Sequence, residues 1–193
     1  SVLLPLLKLV VCVYLGCLLH AVFVYGAMLK FIGKYNPLAF FKNLLPAQLV
    51  AFSTCSSSAT LPVNMECVQK MGVSKEISSF VLPLGATVNM DGTALYQGVC
   101  ALFVAQIYGI ELTSAQMMTI ILTGTLASIG TAGVPGAGLI MLTMVLQSVG
   151  LPLEGVALVA GIDRVLDMPR TTVNITGDAV VAYIIEKGEE GRA

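Results

Sequence analysis

The sequence predicts an all-α membrane protein, in which transmembrane helices are accompanied by two re-entrant helical hairpins that form an inverted repeat. The first observation is the composition, since 56% of the 193 residues are hydrophobic and only 11% are charged, far from the values of soluble domains. The second is that two apolar stretches are interrupted by Ser, Gly and Pro residues. The third is the uneven distribution of Lys and Arg among the loops. The lipid bilayer is therefore the expected solvent, and a net charge of −1 does not favour a nucleic-acid partner.

Three long apolar stretches predict segments that cross the membrane, because a spanning helix needs about 20 apolar residues. They cover residues 3–32, 77–107 and 155–185. Within the second, Gly92 follows Asp91 and lets the backbone unwind, so we expect a broken helix there.

Residues 37–72 and 114–150 are predicted to be re-entrant hairpins. The serine-rich run 53–58 interrupts the first stretch, and a Gly- and Pro-containing run at 128–136 interrupts the second. Each flank is too short to cross the bilayer, and unpaired backbone at membrane depth is tolerated only against protein or water. Each hairpin is therefore expected to enter and leave on the same side.

The loop charges agree with this topology. If both stretches are re-entrant, every basic loop lies on the cytoplasmic side, as the positive-inside rule requires. The residues concerned are Lys30, Lys34, Lys42, Lys70, Lys75, Lys187 and Arg192. The loops at 106–116 and 147–156 carry Glu111 and Glu154 but no Lys or Arg. Interrupted segments in corresponding halves are typical of transporters with a midplane binding site, and a pair of kinked ordinary helices is the simpler alternative.

The five cysteines form no CxxC pair and mostly lie in apolar stretches, so we expect them to act as small hydrophobic residues. The chain begins without Met and without a basic leader. We therefore expect a fragment, and no signal peptide.

A polar stripe runs along the last predicted span. It consists of Asp163, Asp167, Arg170, Asn174 and Asp178. Spacings of three and four residues place these side chains on one helical face. Ionisable groups are costly inside a membrane, so the stripe is expected to face a cavity, a partner or a substrate. Its excess of carboxylates indicates a cation, and a purely structural Asp–Arg network is the alternative.

Asp91 has no basic residue within one turn of its own segment. A lone carboxylate in apolar surroundings takes up a proton unless a cation neutralises it. Oxygen-only surroundings favour a hard cation such as Na⁺, and an Asp that caps a broken helix is the alternative.

The first hairpin tip carries Ser56, Ser57 and Ser58, whose hydroxyls and neighbouring N–H groups suit an anion. Together with Arg170 they indicate two anionic groups on the ligand, and Asp167 could hold an ammonium. These are the charges of an acidic amino acid. A serine hydrolase would need a base, and the single histidine, His20, is better interpreted as packed or hydrogen-bonded, so we expect no enzyme.

These motifs resemble those of the glutamate/aspartate transporter family of dicarboxylate and amino acid:cation symporters. The resemblance rests on Thr-Cys-Ser-Ser-Ser-Ala-Thr-Leu-Pro at 54–62, Asn-Met-Asp-Gly-Thr at 89–93, Ser-Ile-Gly-Thr-Ala-Gly-Val-Pro-Gly at 128–136 and Leu-Asp-Met-Pro-Arg-Thr-Thr-Val-Asn at 166–174. It implies that residues 1–193 are a fragment of the transport domain, from the sixth transmembrane helix to the eighth. An N-terminal scaffold, through which family members trimerise, would be missing. It also implies a multi-pass protein of the cell (plasma or inner) membrane that works by alternating access.

The resemblance further implies roles for individual residues. The substrate would be bound by Ser57, Thr93, Val134, Gly138, Asp167, Arg170, Thr171 and Asn174. Arg170 would bind its side-chain carboxylate and Asp167 its amino group. Na⁺ would be bound at one site by Gly85, Asn89, Asn174 and Asp178, and at a second by Thr87, Ser128, Ile129 and Thr131. Asp91 would belong to a third site, whose other ligands lie on the absent third helix.

The sequence departs from the family pattern at one kind of position. Some members have an arginine at the position of Cys55, and others have one at the position of Met168. This chain has neither of these arginines, but it has Arg164 on the last helix. Coupling to H⁺ or K⁺ in addition to Na⁺ therefore stays open, as does the role of Arg164, either in an ion pair or in transport. Two alternatives stay open: a C4-dicarboxylate:cation symporter of the same fold, which would not need Asp167, and an anion-conducting channel.

Overall fold

The computed structural model describes residues 3–190, except for the side chain of Glu190. Within this range the ordered elements are helices, with no strand among them, so the predicted all-α class is confirmed. Arg192, one of the residues in the predicted basic loops, lies outside the described residues.

The first helix extends over Leu3–Ile32. Its α-helical part, α1 (Leu3–Leu19), continues into two π-helical turns, His20–Tyr25 and Met28–Ile32. Of the helices in the described range, this one alone is long and apolar enough to cross a membrane. Many of its leucine, valine and phenylalanine side chains are exposed, as expected for a surface in contact with lipid.

The first predicted hairpin consists of α2 (Pro37–Thr54) and α3 (Ser57–Lys70), which pack against each other. Only Cys55 and Ser56 separate them, although the serine-rich run is longer. The reason is that the Ser56 side chain accepts a hydrogen bond from the backbone N–H of Ala59, so it caps α3 and the helix restarts at once.

The second predicted span is divided into α4 (Lys75–Val88) and α5 (Asp91–Ile107), with Asn89 and Met90 between them. The second predicted hairpin consists of α6 (Ser114–Ser128) and α7 (Ala137–Ser148). Its connection has positive φ angles at Gly130 (82°) and Gly136 (78°), a conformation that glycine adopts at little cost.

The last predicted span is interrupted as well. It contains α8 (Glu154–Ala160) and α9 (Asp163–Glu190), separated by Gly161 and Ile162. Glycine weakens a helix, and an aspartate is favourable in a first helical turn, so the sequence is locally consistent with a new start at Asp163.

Helix α9 is the central element and packs against α1, α2, α3, α4 and α5. At 28 residues it is about 42 Å long, enough to cross a bilayer, and it carries the polar stripe of the predicted span 155–185. All members of that stripe are buried. Its surroundings are therefore protein, not lipid.

Candidate functional site

Arg170 is the centre of the polar stripe and is only 2% exposed. Its Nη2 lies 2.9 Å from Oδ2 of Asp167, and its Nη1 lies 3.4 Å from Oδ1 of Asp163. The guanidinium carbon lies 4.2 Å from the centre of the Tyr96 ring, and the Tyr96 hydroxyl donates to Asp163 at 2.9 Å. Two carboxylates and an aromatic face therefore compensate the buried charge.

Asp167 connects Arg170 to the second predicted hairpin. Its Oδ1 accepts from the Thr171 hydroxyl at 2.7 Å, and its Oδ2 accepts from the backbone N–H of Gly136 at 3.0 Å. A Cβ atom at Gly138 would lie 2.9 Å from Nη1 of Arg170. The segment that begins α7 therefore lies directly over the ion pair.

The tips of the two predicted hairpins contact each other. The hydroxyl of Ser56 donates to the carbonyl of Gly133 at 2.8 Å, and the backbone N–H of Ser58 donates to the same oxygen at 3.1 Å. Ser57, between them, is buried. Both tips therefore end beside α9.

One cavity lies where these elements meet. Every residue that the sequence predicts to bind substrate lines it, together with Cys55, Met90, Thr131, Ala132, Gly133 and Ala137. Its volume is about 10 Å³, room for about one water molecule. The structure therefore brings the predicted substrate residues together around a space too small for a substrate molecule.

Asn174 joins the break between α4 and α5 to α9. Its Oδ1 accepts from the backbone N–H of Gly92 at 2.8 Å, and its Nδ2 lies 3.1 Å from both the Thr93 hydroxyl and the sulfur of Met90. A Cβ atom at Gly92 would overlap the backbone carbonyl of Arg170. Close backbone contact of this kind requires glycine.

The residues of the first predicted cation site also lie together. Nδ2 of Asn89 donates to Oδ1 of Asp178 at 3.0 Å and to the backbone oxygen of Asn174 at 3.4 Å. Gly85 approaches Asp178 so closely that a Cβ would lie 2.5 Å from Oδ1. Asp178 is 2% exposed and takes part in none of the ion pairs of residues 3–190. A buried carboxylate beside amide and carbonyl groups is a donor set that suits a hard cation.

The second predicted cation site is formed by two chain segments. The backbone carbonyl of Thr87, at the end of α4, accepts from the N–H of Gly130 at 2.7 Å, and the N–H of Thr131 donates to the carbonyl of Ser128 at 3.1 Å. Thr87 is thereby placed beside the 128–131 segment, which includes Ile129. In the described part of the chain no group of three or more His, Cys, Asp or Glu side chains is arranged to bind a metal.

Asp91 has partners that its own segment does not reveal. The hydroxyl of Tyr25 donates to Oδ2 of Asp91 at 2.8 Å, and Nε2 of His20 lies 3.2 Å from the same oxygen. The expectation of an unpartnered carboxylate was wrong because both partners come from the first helix. His20 is hydrogen-bonded, in agreement with the preferred interpretation. Tyr25 was missed, since a tyrosine in an apolar stretch gives no signal in the sequence.

Arg164 contacts the first hairpin. Its Nη2 donates to the backbone carbonyl of Ser53 at 3.2 Å, in the last turn of α2, where a cation is favourable for the helix dipole. The thiol of Cys55 lies 3.8 Å from the carbonyl of Arg164. The structure thus places Arg164 against a helix end, and not in an ion pair with Asp163.

Comparison with known proteins agrees with these features. The sequence pattern of the sodium:dicarboxylate symporter family matches residues 1–188. The chain is 47% identical over 176 residues to human excitatory amino acid transporter 5, which covers 91% of this chain and 31% of that protein. It is 50% identical over 153 residues to an excitatory amino acid transporter of Caenorhabditis elegans, covering 79% of this chain and 30% of that protein.

A third relative is human excitatory amino acid transporter 1, which is 47% identical over 177 residues, or 91% of this chain and 33% of that protein. The chain therefore spans about a third of the length of these relatives. Their names and the family description are those of transporters, not enzymes, which leaves no support for a hydrolase. The chain belongs to the sodium:dicarboxylate symporter family, a family of membrane transporters.

Proposed function

We propose that this chain is the substrate-binding part of a Na⁺-coupled transporter that carries L-aspartate or L-glutamate by alternating access across a cell (plasma or inner) membrane. The observation that carries this proposal is the buried pair of Arg170 and Asp167 on the wall of one cavity that also contains the Ser57 tip. We also expect an N-terminal scaffold domain, through which the protein would trimerise.

The Arg170–Asp167 pair fits a substrate that carries both charges. A guanidinium binds a carboxylate through two parallel hydrogen bonds, so Arg170 can exchange Asp167 for the substrate's side-chain carboxylate. Asp167 is then free to accept the substrate's ammonium group. Removing one partner of a buried ion pair without replacement costs about 3–5 kcal/mol, so a ligand that supplies a new partner to both residues avoids this penalty.

The second carboxylate of the substrate would be held at the first tip. Ser57 is the first residue of α3, and N–H groups in the N-terminal turn of a helix suit an anion. The N–H of Ser58, which here donates to the carbonyl of Gly133, would become available to the carboxylate when the second tip moves. The Ser57 hydroxyl adds a further donor.

Binding requires the second tip to move, because the cavity has room for about one water molecule. The N–H of Gly136 and the ammonium of the substrate would compete for the same carboxylate, that of Asp167. Substrate binding at Asp167 is thereby linked to the position of the tip. Gly130 and Gly136, both at positive φ, are the expected hinges.

The helix lengths support two re-entrant hairpins in an inverted repeat. Helices α2, α3, α6 and α7 contain 18, 14, 15 and 12 residues. Their lengths of about 27, 21, 22 and 18 Å are all less than the roughly 30 Å of a hydrocarbon core. The loop charges place the open end of the first hairpin in the cytoplasm and that of the second outside. Lys8, exposed near the outer end of the first helix, departs from this pattern.

Three cation sites would accompany the substrate. The buried Asp178 with Asn89 and Gly85, the carbonyl-rich segment around Thr87 and Ser128, and Asp91 would each offer oxygen ligands to Na⁺. Additional coupling to H⁺ or K⁺ is compatible with these groups.

A C4-dicarboxylate is the second candidate substrate, since the family description names dicarboxylates. A dicarboxylate would bind Arg170 in place of Asp167 but has no positively charged group for Asp167. The buried Asp167 carboxylate would then have no compensating charge. An amino acid avoids this cost. An anion-conducting channel would need a continuous path, whereas the cavity here has room for about one water molecule.

Calorimetric titration of the full-length protein tests the proposal. L-aspartate, L-glutamate, succinate and L-serine are titrated in Na⁺ and again in choline buffer. We expect saturable binding of an acidic amino acid only in Na⁺, and loss of at least about 30-fold in its affinity in Arg170→Cys, since a buried charged partner contributes about 2 kcal/mol or more. Tight succinate binding would favour the dicarboxylate candidate, and undiminished L-aspartate binding in Arg170→Cys would refute the assignment of Arg170.

A further inference from the structure

The first helix contains a π-helical turn, His20–Tyr25, that contacts Asp91. In an α-helix, residues five apart are separated by about 140° around the axis, so His20 and Tyr25 would face different neighbours. The i→i+5 hydrogen bonding of a π turn brings them onto one face. Here both reach the same atom, Oδ2 of Asp91, at 3.2 and 2.8 Å, and their rings meet edge to face at 4.8 Å.

Tyr25 also touches the neighbouring cation site. It is 2% exposed, and a Cβ atom at Gly177 of α9 would overlap both the Tyr25 hydroxyl and the side-chain amide of Asn89. These two groups therefore meet over Gly177, where only a glycine leaves them room. Because Asn89 donates to Asp178 at 3.0 Å, Tyr25 lies between the Asp91 carboxylate and the pair that includes Asp178.

We propose that Tyr25 is a positioning residue that orients the Asp91 carboxylate for cation binding and couples that site to the site of Asn89 and Asp178. This inference rests on the proposed Na⁺-coupled function. The hydrogen bonds from Tyr25 and His20 both fall on Oδ2, which leaves Oδ1 for a cation. A phenol donates a hydrogen bond without adding a positive charge, so it fixes the carboxylate while the negative charge stays available. Hydrogen-bond partners of metal-binding carboxylates commonly have this orienting role.

The test compares Tyr25→Phe with the unsubstituted full-length protein. Two quantities are measured: the Na⁺ concentration that gives half-maximal L-aspartate binding, and the rise in melting temperature that Na⁺ produces without L-aspartate. Loss of one hydrogen bond is expected to raise the half-saturating Na⁺ concentration about fivefold and to reduce the Na⁺-dependent thermal shift. The affinity for L-aspartate at saturating Na⁺ is expected to stay unchanged.

Tyr14→Phe is the matched control, because it removes a hydroxyl from the same helix that donates to the carbonyl of Val165 at 3.0 Å. It should leave both Na⁺ readouts unchanged. The role of Tyr25 would be overturned if Tyr25→Phe had the same Na⁺ dependence as the unsubstituted protein. It would also be overturned if Tyr14→Phe changed the two Na⁺ readouts as much as Tyr25→Phe does.

A double-substitution cycle tests whether Tyr25 acts through Asp91. In an Asp91→Asn background, Tyr25→Phe should have no additional effect on the Na⁺-dependent thermal shift, and an undiminished effect there would contradict the inference. Failure of the proposed function has a different result: the unsubstituted protein would show no Na⁺-dependent binding of an acidic amino acid at all, and the inference would fall with it.

Discussion

At the residue scale, the most informative feature is that Arg170 and Asp167 neutralise each other inside the protein. The sequence places both on one helical face and predicts that they bind opposite ends of a substrate. The structure adds that they are each other's partner, and that Gly136 of the second tip shares the Asp167 carboxylate. Under the proposed function, this pair must therefore separate when the substrate binds.

Asp167→Asn separates the two candidate substrates. It removes the charge that would pair with an ammonium but keeps a similar shape. We expect the affinity for L-aspartate to fall at least about 30-fold, while the affinity for succinate stays the same or rises because Arg170 loses a competitor. Titration calorimetry in Na⁺ measures both, with Glu154→Gln, at an exposed position, as the control. If L-aspartate binding were as tight in Asp167→Asn as in the unsubstituted protein, Asp167 would not hold the amino group.

Contacts between residues are predictable where the residues share a helical face, and invisible in the sequence where the partner comes from a distant helix. The spacing of Asp163, Asp167 and Arg170 already indicates a shared face. Asp91 pairs with His20 and Tyr25, which precede it in the sequence by 71 and 66 positions. Local sequence patterns report neighbours along a helix, and therefore cannot report such a contact.

At the element scale, helix breaks position the site. Asn89 and Met90 separate α4 from α5, and the second break, at Gly161 and Ile162, lets α9 begin at Asp163. The sequence predicts the first from Gly92 beside Asp91, although the structure places the break just before Asp91 and Gly92 in the first turn of α5. It does not reveal the second, because an isolated glycine between apolar residues is compatible with a continuous helix. The π turn is equally unpredictable, since no residue type requires it.

The contact between α5 and α9 can be tested with two glycines of the same helix. Gly92→Ala would place a methyl group onto the backbone carbonyl of Arg170, and a backbone group cannot move aside as a side chain could. A methyl group at Gly98 would lie in open space. We expect Gly92→Ala to lower the free energy of unfolding by about 1–3 kcal/mol. Gly98→Ala should be neutral or stabilising by up to about 1 kcal/mol, because alanine favours a helix. Melting temperatures in detergent measure both, and equal melting temperatures would contradict the close packing at Gly92.

Glu186, beyond the predicted span 155–185, provides a pH-dependent contact. The backbone N–H of Ser74, at the start of α4, donates to its Oε2 at 2.7 Å, and this hydrogen bond lowers the pKa of Glu186. Its contribution to stability is therefore complete above the ordinary glutamate pKa of about 4.3 and is lost as pH falls through the lower folded value.

We accordingly expect Glu186→Gln to lower the melting temperature slightly at pH 7, and the difference from the unsubstituted protein to shrink below about pH 4. Melting curves from pH 3 to pH 8 measure this difference. Glu111→Gln, at an exposed position between α5 and α6, is the control. A difference that does not depend on pH would show that the carboxylate charge is irrelevant to the cap.

At the scale of the whole molecule, apolar and polar residues are distributed as a membrane transporter requires. The exposed side chains of the first helix are largely apolar, while the charged stripe of α9 is buried among five other helices. Composition therefore indicates the membrane environment, and α9 can carry charged residues there because burial in protein removes the need for an apolar surface around them. The direct contact of Ser56 and Ser58 with the carbonyl of Gly133 follows from tertiary packing alone.

The most direct test is uptake of L-aspartate into proteoliposomes that contain the full-length protein, with an inward Na⁺ gradient and with equal Na⁺ on both sides. We predict saturable accumulation above the external concentration only with the gradient, and none in Arg170→Cys. Uptake that only equilibrates L-aspartate whatever the Na⁺ gradient, or a non-saturating anion current without uptake, would contradict Na⁺-coupled transport of an acidic amino acid.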